Sequence, residues 1–240
     1  MNSLTIAAQD STTMIGRELK HTIRFPLLLV GTILVPVIML LLFDYILGGT
    51  IGRGLGIAAH GAPYVDFLVP GILVMTVAAS CGPTAIQVNT DMTSGIIDRI
   101  RTMAVARGAL LAGFRPNASL VDWFVVAGIV TAFAFALAWL SAALGLAARS
   151  VAGANSSTLP IQFLLPFLSS TFVPADSMPV GVRWFAEHQP FTPVVESVRA
   201  LLTGAPLGNN AYLALAWCSV IALVGYVWAQ AGLRRRYPAS

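Results

Sequence analysis

Lysine is almost missing from this 240-residue chain: Lys20 is the only one. A loop that grips and cleaves a nucleotide triphosphate needs a lysine directly after its glycines. Lys20 stands in Glu18-Leu19-Lys20-His21, with no glycine loop before it. Any ATP that powers this chain must therefore bind elsewhere, on a separate polypeptide. Charge of either sign is also scarce. Charged residues make up 10% of the chain against 57% hydrophobic, and the mean hydropathy is +0.79, which excludes a soluble domain with a charged surface. The two cysteines, Cys81 and Cys218, lie inside apolar runs and read as small buried hydrophobes, not as a disulfide framework or a metal site. The net charge of +4 arises from basic residues grouped at the ends of those runs. Such placement sets membrane topology and does not describe a nucleic-acid surface.

What the chain has in quantity is long apolar sequence. In lipid every backbone N–H and C=O must be satisfied internally, which leaves helices or closed barrels, and these runs are too continuous to be alternating barrel strands. The expected fold is all-α, polytopic and built as one transmembrane domain over residues 1–240. Residues 11–24 read as a basic amphipathic helix in the headgroup plane, with Ile15, Leu19 and Ile23 on one side and Arg17, Lys20, His21 and Arg24 on the other. Five spans are evident, over 25–47, 67–88, 123–148, 158–174 and 211–233. Pro36 and the Gly82-Pro83 pair predict bends in the first two. The stretch 178–203 is not a span: Arg183, Glu187, His188, Glu196 and Arg199 fall within it, and Pro190 and Pro193 divide it into two short helices. Val194, Val198, Leu201 and Leu202 form the apolar side of the second.

The charges then conflict with the span count. The basic N-terminus, the arginines between 89 and 115 and the closing Arg234-Arg235-Arg236 all call for the cytoplasmic side. Two spans join the first pair correctly, but three separate the second pair, and an odd number cannot return the chain to the same side. Either 158–174 turns back within the membrane, or a span is missing between Arg107 and Asp122.

Three stretches together resemble the permease subunit of type-2 ABC exporters, in particular the daunorubicin-resistance-like branch. They are Asp91-Met-Thr-Ser-Gly95-Ile-Ile-Asp98-Arg99-Ile-Arg101-Thr-Met-Ala-Val-Ala-Arg107, then Ser169-Ser170-Thr-Phe172-Val-Pro174 with Met178-Pro179, then Glu187-His188-Gln189-Pro190-Phe-Thr192-Pro193 with Arg199-Ala-Leu-Leu-Thr-Gly204. The likeness covers most of the chain, and its motifs are specific in combination. It implies that 91–112 is a cytoplasmic coupling segment pressed against an ATPase subunit, with Asp91, Gly95, Asp98, Arg99, Arg101 and Arg107 at the contact. It implies that 178–203 is a re-entrant helical hairpin at the outer leaflet, where Glu187, His188, Gln189, Pro190, Pro193 and Arg199 line or gate the exit. The family has six spans, the third directly after the coupling helix, so five here imply the loss of about one helix.

The resemblance further implies a bacterial plasma-membrane permease that pairs with a second permease copy and with an ABC ATPase carrying ATP and Mg. It would export an amphipathic drug or lipid-like compound, hold no cofactor of its own and bind no nucleic acid. Two other readings remain. A truncated, non-transporting membrane subunit is consistent with the odd span count. A secondary transporter would need ionisable groups at mid-membrane depth, and no span carries one at its centre. An intramembrane enzyme fits least. No span holds paired carboxylates, and His21, His60 and His188 are scattered, so no catalytic or metal site is expected.

Overall fold

The computed structural model of the protein describes residues 26–47, 64–94 and 118–236, and among these the fold is all-helical. Helix α1, Pro26–Leu42, runs on through Pro36 and ends in a widened turn, Phe43–Leu47. Helices α2, Tyr64–Ala79, and α3, Cys81–Ser94, are one path broken at Ser80. The cause is Pro83: its ring displaces the carbonyl four residues back, at Ala79, and it brings no N–H to the ladder. Ser80 bridges the break by giving its N–H and its hydroxyl to Val77 O and accepting from Thr84 N.

Helix α4, Leu120–Ala147, starts at a capping box in which Ser119 and Asp122 satisfy each other's exposed N–H groups. It ends where the chain turns extended at Ala148, and there Asn89 of α3 donates its amide to Gly145 O and Ala148 O, at 3.1 and 3.0 Å. A side chain of one helix thus supplies donors to the orphan carbonyls that close another. Helix α5, Val151–Leu159, is capped by Ser150 and continues through a wide turn, Pro160–Leu164, into Leu165–Phe167. At Pro160 the helix widens, and Leu165 N–H reaches back five residues to Pro160 O instead of four. Beyond Phe167 the backbone leaves the helix. A single turn at Ala175–Ser177 leads to α6, Val180–His188, then α7, Phe191–Thr203, which Gly204 closes with φ 75°, and finally α8, Asn210–Arg236.

Among the described residues three helices are long and apolar enough to cross a membrane: Tyr64–Ile86, Leu120–Ala147 and Asn210–Leu233. Their glycines set how closely they pack. A Cβ on Gly145 would lie 2.5 Å from Ala85 O, and one on Gly225 would lie 2.7 Å from Leu140 N. Both obstacles are backbone, so α4 meets α3 and α8 at a distance only glycine permits. One core cluster runs from Tyr64 and Leu68 through Phe133 to Phe191, Val194 and Val198. A smaller one, Ala143, Leu146 and Ala229, lies at the Asn89 end.

These contacts fix the path. Helix α3 ends beside the C-terminus of α4, as does α8, whose Gly232 faces Leu146. The string 151–167 leaves that end and arrives at the other, where Tyr64 donates to Phe172 O. The segment 158–174 therefore does not turn back. Helix α4, roughly 42 Å long at 1.5 Å per residue, begins at the opposite end from Ser94. Residues 95–117 lie outside the described residues. The amphipathic stretch 11–24 also lies outside them.

The glycine contacts predict a sharp contrast on one helix. Gly145→Leu should destabilise the bundle by about 1–3 kcal/mol through overpacking. Gly128→Leu, where nothing lies within 4 Å of the added carbon, should change stability by no more than about 0.5 kcal/mol. Thermal unfolding of the two variants in the same detergent checks this, and equal shifts would contradict the backbone contact.

Candidate functional site

The chain leaves helical geometry at 168–173, inside a bundle whose surroundings are apolar. Each backbone group freed there needs a partner. Ser169 and Thr171 supply some locally: the Ser169 hydroxyl lies 2.6 Å from Pro166 O and accepts from Thr171 N. The rest come from distant parts of the chain. Tyr64 Oη donates to Phe172 O at 2.9 Å, Ser170 N donates to Thr192 Oγ1 at 3.3 Å, and Arg199 Nη2 donates to Ser170 O at 2.8 Å. Phe172 is held between Phe43 and Phe167, at ring separations of 4.6 and 4.8 Å. Gly71 of α2 leaves room for this segment, since a Cβ there would lie 2.6 Å from the Thr171 methyl.

Arg199 is the centre of this arrangement. Its side chain is 11% exposed. Nε and Nη2 both donate to Phe67 O, at 3.2 and 3.0 Å, and the guanidinium carbon sits 3.6 Å from the centre of the Phe67 ring. Nη1 pairs with Glu196 one turn back on α7. Burying a cation costs several kcal/mol unless it is paired and hydrogen-bonded. Here the planar fork meets a carboxylate, two carbonyls and an aromatic face at once, a combination a lysine ammonium does not reproduce.

The two hairpin helices differ in how they are held. Helix α7 is almost wholly buried, with Phe191 edge-on to Phe133 at 5.0 Å and Val194, Val195 and Val198 in the core. Ser197 returns its hydroxyl to Pro193 O, and Thr203 returns its own to Arg199 O. In α6 only Ala186 is buried, and Val180 and Trp184 stand in the open. Its polar contacts are local. Arg183 pairs with Glu187 and Asp176, and His188 stacks on Trp184 and bonds to Trp184 O. The Glu187 hydrogen bond and charge, and then Asp176, hold the Arg183 guanidinium above its usual pKa.

Of the hairpin residues singled out from sequence, the structure brings Gln189, Pro190, Pro193 and Arg199 to this buried side. Glu187 and His188 lie on exposed α6. Gln189 is 4% exposed, and neither atom of its amide has a hydrogen-bond partner among the described residues. Of the coupling residues, Asp91 lies in the last turns of α3, at the Asn89 end. Gly95, Asp98, Arg99, Arg101 and Arg107 are outside the described residues. Sequence reasoning missed Tyr64, Phe67 and Asn89 as a cap; it named Ser170 and Thr192 within the matching stretches and Glu196 among the hairpin charges without giving them these contacts. Glu196 alone carried a local signal, a carboxylate three residues before an arginine on a helix.

Tyr64→Phe isolates one of these bonds. It removes the donor and leaves Phe172 O buried and unsatisfied, so the folded state should lose about 1–3 kcal/mol. An unchanged unfolding temperature in detergent would show that Phe172 O finds another partner.

Comparison with known proteins agrees with this architecture. The family described as ABC-2 type transporter matches residues 108–203, from before α4 to the end of α7. The daunorubicin resistance ABC transporter permease protein DrrB1 of Streptomyces coeruleorubidus is 26% identical over 222 residues, 82% of this chain and 76% of that protein. The probable doxorubicin resistance ABC transporter permease protein DrrC of Mycobacterium tuberculosis is 25% identical over 259 residues, 98% of this chain and 91% of that one. The chain is thus a multi-pass membrane protein in which residues 108–203 match the ABC-2 type transporter family and most of the length is similar to drug-resistance ABC permeases.

Proposed function

We propose that this chain is the membrane half of an ATP-driven exporter in a bacterial plasma membrane. Two permease copies and a separate ABC ATPase, which binds ATP and Mg, form the working unit. The cargo is an amphipathic drug or lipid-like compound carried outward. The observation that supports this best is homology spanning nearly the whole chain to proteins named as drug-resistance permeases. The sequence agrees from the other direction, since it has no lysine-bearing phosphate loop with which to power transport itself.

Orientation follows from charge. Arg149 and the Arg234 to Arg236 run lie at the same end of the bundle as Asn89. The positive-inside rule assigns that end to the cytoplasm. The 91–112 segment departs from there, at the end of α3, and in this reading Asp91, Gly95, Asp98, Arg99, Arg101 and Arg107 meet the ATPase. A helix with fixed charges and apolar knobs can transmit a rigid-body push between subunits. The hairpin then lies at the outer face, with α6 at the lipid headgroups.

Arg101→Glu should weaken co-purification with the ATPase about tenfold or more, equivalent to roughly 1.4 kcal/mol, while circular dichroism stays unchanged. Undiminished co-purification would remove Arg101 from the contact. The exporter reading itself is tested in vesicles containing both subunits. ATP-dependent accumulation of an amphipathic dye is expected, and its absence with an intact complex would favour a non-transporting subunit.

A further inference from the structure

We propose that Glu196 and Arg199 form a releasable latch between the hairpin and the broken helix end at 168–173, and that the latch carries its own counter-charge. The argument rests on which partners sit on which element. Arg199 is on α7, and the groups it reaches outside α7 are neutral: Phe67 O and the Phe67 ring on α2, and Ser170 O beyond the 151–167 helix. Its carboxylate partner, Glu196, is on α7 too. If α7 lifts away, the ion pair moves with it, and neither a bare guanidinium nor a stranded carboxylate stays behind. A salt bridge between two elements would leave both charges unpaired on separation, which is costly in a dry interior.

In polar contacts, release exchanges a few bonds to carbonyls and one ring contact for water, while the packing of Phe191, Val194, Val195 and Val198 in the core opposes it in addition. The lost bonds are those of Arg199 to Phe67 O and Ser170 O, together with Ser170 N to Thr192 Oγ1. Two features lower the cost further. The Ser170 hydroxyl and the Gln189 amide are buried without partners among the described residues in the closed arrangement, so hydration satisfies them. Helix α6 adds little restraint, because its ion pairs run only among Asp176, Arg183 and Glu187. The joint is at Gln189 and Pro190, where Gln189 is extended and α7 begins. The latch thus governs water access to the non-helical 168–173 stretch at that end of the bundle, whatever compound is carried.

The test uses the full chain in liposomes with Ser170→Cys. The Ser170 hydroxyl makes no hydrogen bond among the described residues, so a thiol replaces it without losing one there. Cys81 and Cys218, both buried, report unfolding of the spans in the same sample. A membrane-impermeant maleimide is added and each site is followed by mass spectrometry. In the otherwise unchanged chain the Ser170→Cys site should label at least about tenfold faster than Cys81 and Cys218. Adding Arg199→Gln should speed it by roughly another factor of ten without affecting those two, each factor corresponding to 1.4 kcal/mol. Arg199→Lys, which keeps the charge but loses the fork, should fall between. Thr192→Val, a milder change that leaves the ion pair intact, should raise labelling a few-fold on the scale of one neutral hydrogen bond. The proposal is overturned if the Ser170→Cys site labels no faster than Cys81 and Cys218, if neither Arg199→Gln nor Thr192→Val changes its rate, or if every rise is shared by those two cysteines.

Discussion

A backbone amide in an apolar bundle must find a hydrogen-bond partner inside the protein, and the whole upper half of this fold answers that demand at one place. The 151–167 helix carries two prolines and stops at Phe167. The six residues after it satisfy one another only in part, through Ser169 and Thr171. They are met by a tyrosine from the start of α2, a threonine from the start of α7 and an arginine one turn from the end of α7. The hairpin is therefore the set of donors and acceptors that makes the broken helix stable, as well as a cover over the bundle. This explains why polar residues sit among the most buried of the chain: Ser169, Ser170, Thr171 and Ser197 are all fully enclosed.

The other end of the bundle solves a related problem by different means. There the helices pack through glycine, Gly145 against Ala85 and Gly225 against Leu140. Close approach raises dispersion contact where lipid offers no hydrophobic gain for helix association. Asn89 then closes the C-terminus of α4 across the same interface. The two ends differ in emphasis. Glycine contacts with backbone dominate one, although Gly71 also meets the Thr171 backbone at the other. Side-chain bonds to carbonyls, which can be exchanged for water, dominate the second.

The all-helical class was legible because composition decides it: long apolar runs in a chain with few charges have little choice of structure. The hairpin's division at Pro190 was legible too, since proline punctuates helices by a local steric rule. So was the apolar side of α7, where Val194, Val198, Leu201 and Leu202 are buried. The path of the chain was not. Charge counting left open whether 158–174 turns back, and only the contacts of Tyr64 with Phe172 and of Arg199 with Ser170 show it arriving at the far end. Those pairs lie 108 and 29 residues apart in sequence. No periodicity records them, because one tyrosine and one arginine are chosen for reach and not for the face of a helix they occupy. The break at Ser80 shows the intermediate case. Gly82-Pro83 announced a bend, but its placement at Ala79 and Ser80 follows from the proline ring acting four residues back.

The distribution of charge joins these observations to function. Arg199 is the buried charge among the described residues, whereas Arg149 is not buried and the Arg234 to Arg236 run closes the last helix at the same end of the bundle. Basic residues at helix ends orient a membrane protein at almost no cost, because water and headgroups solvate them. A buried arginine bears a desolvation penalty and persists only where its fork satisfies groups that nothing else reaches. Glycine contacts at the Asn89 end favour motion of α3, α4 and α8 as a unit, since backbones in contact cannot slide without clashing. A push delivered there would pass along rigid helices to the far end. It would meet a junction held by exchangeable bonds around Ser170, which makes that junction the natural place for the bundle to give.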